Sequence, residues 1–152
     1  MTERFETFTV LIAKISRNIR KIKNMEMAEY QLRSSHISCL YYLFSESLTP
    51  SELSERCEED KATISRSIDH LEKNGFIKAD QSAHKKYKTP LVLTEKGEEA
   101  GRRISEKIGA VLDEMNRALS EEERVRFYRS LSIISDELDV IGKRYEDLEK
   151  RK

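Results

Sequence analysis

The sequence predicts a mainly α-helical chain with one small β-hairpin. Apolar residues recur at alternating spacings of three and four near both ends of the chain. Charged residues make up 37% of the sequence, against a usual quarter or so, while only five glycines and two prolines interrupt it. That balance favours long solvated helices over a sheet-rich fold. With 152 residues the chain is long enough for one domain with a fair core.

Phe5, Phe8, Ile12, Ile15, Ile19 and Ile22 follow spacings of 3, 4, 3, 4 and 3, predicting one helix over about residues 4–29. Lys14, Arg17, Lys21 and Lys23 fall mostly off that seam and read as a solvated face. Ser34 or Ser35 can cap a second helix through about Ser45, with Ile37, Leu40, Tyr41 and Phe44 at helical spacing. Thr49-Pro50-Ser51-Glu52 is a capping box with proline at the first helical position, opening a short helix that ends near Cys57. Glu58-Glu59-Asp60 makes a turn, and Asp60 can cap the next helix, whose buried stripe is Ile64, Ile68 and Leu71. Asn74-Gly75 stops it, Gly75 supplying a left-handed residue. Phe76–Asp80 and Thr89–Leu93 read as two strands around a polar, basic loop, with Pro90 tolerable at an edge. Thr94 caps a fifth helix carrying Ile104, Ile108, Val111 and Met115. Ser120-Glu121-Glu122-Glu123 caps a last one, with Phe127, Leu131, Ile134, Leu138, Ile141, Tyr145 and Leu148 at strict 4-3 spacing.

The formal net charge is zero, but it is unevenly spread. Residues 1–45 carry +3, residues 46–60 carry −5, residues 61–94 carry +4 and residues 95–152 carry −2. The positive excess around the fourth helix and the hairpin is the footprint expected where phosphates are met. With Ile64, Ile68 and Leu71 turned inward, Lys61, Thr63, Ser65, Arg66, Asp69, His70 and Lys73 are left on the flanks and solvent face of that helix. Short hydroxylated residues near its start permit close approach to base edges, and Arg66 suits a bidentate contact with guanine. Lys61 and Lys73 suit phosphates. At the hairpin tip, His84, Lys85, Lys86 and Lys88 suit the flanking phosphates or a minor groove.

The stretch from Leu48 to Ile77, LTPSELSERCEEDKATISRSIDHLEKNGFI, with the basic hairpin and LTEKG (Leu93–Gly97) behind it, resembles the MarR family of winged helix-turn-helix transcription regulators. The resemblance is close over this module and extends in layout to the flanking helices. It implies a winged helix-turn-helix flanked by N- and C-terminal dimerisation helices: residues 1–34 and 104–152 for dimerisation, 35–103 for DNA. It further implies a homodimer on a pseudo-palindromic operator in double-stranded DNA, in most relatives a repressor released by a small aromatic or lipophilic effector. An effector pocket is expected where the first, second and fifth helices meet, among Ile15, Ile19, His36, Leu40, Tyr41, Ile104 and Ile108, although the same residues equally make a plain core. Three features depart from the family pattern. Glu58 and Glu59 stand where glycine and an aliphatic residue are usual. Ala83-His84-Lys85-Lys86 replaces an Asp-x-Arg element in the wing, and lysine lacks the guanidinium fork. The reactive first-helix cysteine of redox-sensing members has no counterpart here. The acidic turn motivates an alternative, a winged-helix module that binds a protein partner rather than specific DNA.

Other function classes find little support. Cys39 and Cys57 read as small buried hydrophobes, without partners at metal-ligand spacing, and a lasting disulfide is not expected in a reducing compartment. His36, His70 and His84 are scattered, so no metal, cofactor or catalytic group is expected, and His36 reads as a capping-region or solvent-facing residue. The opening MTERFETFTV does not read as a signal peptide and the apolar runs are too short to span a membrane, so a soluble, cytoplasmic protein is expected.

Overall fold

The structure, a computed structural model, describes residues 2–78 and 88–150, with side chains described from residue 7 onward. Six helices follow in order: α1 (Thr2–Glu26), α2 (Ser34–Ser45), α3 (Pro50–Cys57), α4 (Lys61–Lys73), α5 (Glu95–Asn116) and α6 (Glu121–Glu149). A 3-10 turn, Ala28–Tyr30, joins α1 to α2.

Most helix ends form where local chemistry places them. Thr49 N–H donates to Glu52 Oε2 at 2.8 Å and Glu52 N–H donates to Thr49 Oγ1 at 3.3 Å, closing the capping box of α3. Ser120 and Glu123 repeat the arrangement at α6. Gly75 (φ 73°) takes the left-handed conformation after α4. Two ends differ from the sequence reading. The α1 helix stops at Glu26, short of residue 29. Met27 and Leu32 are both buried, and five residues of continuous helix would turn them about 140° apart. The 3-10 turn, closed by a left-handed Gln31 (φ 56°), lets both reach one core. At α2 the flanking residue is Arg33 rather than a serine, and its N–H donates to His36 Nδ1 at 3.1 Å. A side chain from inside the helix thus satisfies the free amide.

The chain forms two compact units, Met1–Ile108 and Gly109–Lys152. In the first, α2, α3 and α4 pack around a core that includes Leu40, Leu53, Ile64, Leu71, Phe76 and Ile104, each at most 2% exposed. Lys107 pairs with Glu26 at 2.9 Å and Arg103 with Glu29 at 3.5 Å, tying α5 to the end of α1. The amino end of α5 lies against Phe76 so closely that a Cβ at Gly97 would collide with the Phe76 carbonyl oxygen. The seam of α1 is left open: Ile12, Ile15, Ile19 and Ile22 are all exposed. In the second unit, α6 has no buried residue, and Phe127, Ile134, Leu138, Tyr145 and Leu148 are exposed along one stripe.

Of the expected hairpin, the described residues hold the two stems joined by one antiparallel bridge, Ile77 to Leu93. Lys78 N–H donates to Val92 O at 2.8 Å and Thr94 N–H to Phe76 O at 3.0 Å. Leu91 N–H donates to Leu48 O at 2.8 Å, fastening the returning stem to the segment before α3. The tip, including His84, Lys85 and Lys86, lies outside the described residues. None of the helices in the described part is long and apolar enough to cross a membrane.

Candidate nucleic-acid interface

The α4 helix is aimed by its buried side. Ile64, Ser67, Ile68 and Leu71 face the core, which leaves Lys61, Arg66, Asp69 and Lys73 exposed and Thr63, Ser65 and His70 half-buried at the flanks. Asp60 caps the helix: its Oδ1 accepts from Thr63 N–H at 2.8 Å and its Oδ2 accepts from the Thr63 hydroxyl at 2.8 Å. Those two bonds hold the Asp60 carboxyl below the usual carboxylate range, so it is an anion at the positive end of the helix dipole. The Thr63 hydroxyl oxygen in turn accepts from Arg66 Nη2 at 3.1 Å. The chain Asp60–Thr63–Arg66 orients a guanidinium on the open face of α4. Lys61 and Lys73 stand free of carboxylate partners among the described ion pairs, as groups that meet phosphate must. Lys88 is exposed on the returning stem.

His70 turns toward α2. Its ring stacks on His36 with centroids 4.1 Å apart and planes within 6°. Burial, the His70 ring and Arg33 together lower the His36 pKa to about 4, so the His36 ring is neutral near pH 7. Among the described residues, His70 Nε2 is buried with no hydrogen-bond partner. The sequence placed His70 on the face of α4 but gave no sign of its contact with His36, because the two are 34 residues apart.

The residues expected to line an effector pocket are divided by the structure. Leu40 and Ile104 lie in the core, Ile108 and Tyr41 pack against it, and Ile15 and Ile19 are exposed. A cavity of about 450 Å³ instead lies between α4 and the hairpin stem, walled by Ile64, Ser65, Ile68, Asp69, Lys78 and Leu91 among others. Sequence reasoning missed it because a space between a helix and a returning strand has no periodic signature. Among the described residues no group of three or more His, Cys, Asp or Glu is placed to hold a metal ion.

Comparison with known proteins places this geometry. The family model of MarR matches residues 32–83, which take in α2, α3 and α4 and run into the hairpin. Residues 32–83 belong to the MarR family. No curated protein matches the chain. A crystal structure of MarR is 26% identical over 88% of this chain and 91% of that one, with a TM-score of 0.69. A MepR–DNA complex of Staphylococcus aureus shares the fold at a TM-score of 0.78, with 18% identity over 86% of this chain and 97% of that one. The MarR of Staphylococcus aureus, in complex with salicylate and kanamycin, does so at 0.76, with 19% identity over 90% and 93%. The matched segment contains every α4 residue named above, and over most of its length the chain has the fold of these MarR-family structures.

Proposed function

We propose that the protein is a homodimeric, sequence-specific DNA-binding repressor, released from its operator by a small aromatic or lipophilic molecule. The observation that carries this reading is the exposed face of α4. There an oriented Arg66 stands between Lys61 and Lys73, neither of which has a carboxylate partner among the described residues, on a helix whose other side is locked into the core. Arg66 reads a base edge, with Ser65 close enough to contribute, and the lysines meet phosphates. The wing lysines Lys85, Lys86 and Lys88, with His84, add contacts to the flanking backbone. Residues 35–103 are the DNA-binding part, and 1–34 with 104–152 the dimerisation helices. The open seams of α1 and α6 support the second copy: two apolar stripes of this length are not left in water by a stable monomer. The MepR–DNA and salicylate complexes named among the structural neighbours support DNA and a small acid as partners.

The test is a mobility shift on the DNA upstream of the protein's own gene, repeated across a salt series. The expected result is a complex that survives competitor duplex and weakens steeply as salt rises. Equal binding to every duplex, or indifference to salt, refutes the specific-regulator reading. The acidic turn favours a second reading, in which exposed Glu58 and Glu59 face a protein partner. A stable partner captured without nucleic acid, together with failure of the shift, would select it.

A further inference from the structure

Two rings join the DNA-facing helix to the helix behind it. His36 lies in the first turn of α2 and His70 in the last turn of α4, and their rings stack in parallel with centroids 4.1 Å apart. Neither ring can take a further proton without breaking that arrangement. His36 Nδ1 accepts from Arg33 N–H at 3.1 Å, so its lone pair is taken and its one proton sits on Nε2. A proton on Nδ1 would set two donors face to face and undo the cap of α2. His70 Nε2 is buried with no partner among the described residues, so a charged His70 would hold an unmatched N–H away from water. Two charged rings at that separation would also repel each other.

The charged groups around the pair offer an added proton no compensation. Arg33 stands at the start of α2, and Arg66 and Lys73 lie one turn to either side of His70 on α4. Asp69 and Glu72, the carboxylates of that stretch, line the cavity beside the hairpin stem instead. On α1, Lys23 is bonded to Ser38. On α3, Glu52 is bonded to Thr49, Arg56 is paired with Glu46 and Glu55 is exposed. Burial, His70 and Arg33 accordingly bring the His36 pKa down to about 4.

We propose that the stack is a proton-released latch: His36 positions α4 through His70, and protonation of the pair parts α2 from the last turn of α4. A loosened α4 no longer presents Arg66 and Lys73 in one setting, so DNA binding weakens on acidification. The sign is diagnostic, because added positive charge by itself tightens binding to a polyanion. The effect on DNA rests on the reading of α4 as the DNA-binding helix, whereas the opening of the latch does not.

The opening is read first without DNA, by amide exchange of the full chain from pH 7 to pH 4.5, corrected for intrinsic rates. Between the ordinary pKa of 6.5 and the stacked value of about 4, the ratio of parted to stacked forms should rise up to about tenfold per pH unit. Protection of the Arg33 amide should fall with it, while that of the core Leu40 amide holds. In His36→Gln, whose side-chain oxygen can accept the same N–H but takes no proton, the fall should be lost. On a preferred duplex at constant salt, wild-type affinity should drop at least about threefold from pH 7.5 to pH 5, and His36→Gln should lose that drop as well. Arg33 protection that is the same at both ends of the series overturns the latch. So does protection lost equally at Leu40, or an equal pH dependence in wild type and variant. Affinity that rises on acidification overturns the coupling to DNA. If no duplex is preferred at any pH while the Arg33 amide opens as expected, the DNA reading fails and the latch stands. The wild-type series decides even where His36→Gln fails to fold.

Discussion

Arg66 reaches Thr63, and Thr63 reaches Asp60, so the guanidinium enters any complex already oriented. Arg66→Ala should weaken binding to the preferred duplex by about 1–3 kcal/mol and relax the preference at one base pair, read on a panel of single-base variants. Lys61→Ala should weaken all duplexes alike. Identical behaviour of the two variants would reverse these roles. Glu58 occupies a turn position whose backbone conformation disfavours it. It holds φ 53°, a conformation that costs a side-chain-bearing residue and that glycine adopts freely. Glu58→Gly should raise stability by roughly 0.5–1 kcal/mol in a thermal melt, the gain trimmed by the freer unfolded chain. The glycine usual at this turn was legible as a resemblance, but the need for it is legible only in the backbone. His36 makes a prediction with a sign. Its folded pKa of about 4 lies below the unfolded 6.5, so between those values the unfolded chain binds more protons. The stability this contributes is full above pH 6.5 and is lost as pH falls through about 4. His36→Gln should flatten that part of a stability-against-pH curve.

At the level of elements, the caps of α3, α4, α5 and α6 could be read directly. Each is made by residues within three positions of one another: Thr49 with Glu52, Asp60 with Thr63, Thr94 with Gly97, Ser120 with Glu123. The end of α1 could not, because it depends on Met27 and Leu32 sharing a core with residues far along the chain. The hairpin was legible as two stems and a loop, and the bridge at Ile77 and Leu93 is the part the described residues hold. The candidate site divides the same way. The buried stripe of α4 follows from its periodicity, whereas the His36–His70 stack and the cavity beside α4 join segments too distant for any local pattern. Gly97, part of the LTEKG signature, gains a cause at this scale. Any Cβ there meets the Phe76 carbonyl oxygen, backbone that cannot swing aside. Gly97→Ala should push the start of α5 off the hairpin stem and lower the melting temperature, despite alanine's better helix propensity. An unchanged or higher value would mean that the approach is slack.

For the whole molecule, the open stripes of α1 and α6 set the expectation. Ile19, 50% exposed, and Leu138, 52% exposed, stand in the middle of them. Ile19→Glu or Leu138→Glu should shift sedimentation from dimer to monomer, and the wild-type melting temperature should rise with protein concentration. A dimer would present two α4 helices to half-sites about one helical turn apart, roughly 34–36 Å. The same stripes bear on how the chain is made. The α1 helix leaves the ribosome before α6, and 94 residues separate its last residue from the first of α6. At about 5–20 residues per second, its isoleucines wait roughly 5–20 s before the final helix begins to emerge. Through that interval the like charges of Lys14, Arg17, Lys21 and Lys23, interleaved with Ile12, Ile15, Ile19 and Ile22, would work against pairing between nascent chains.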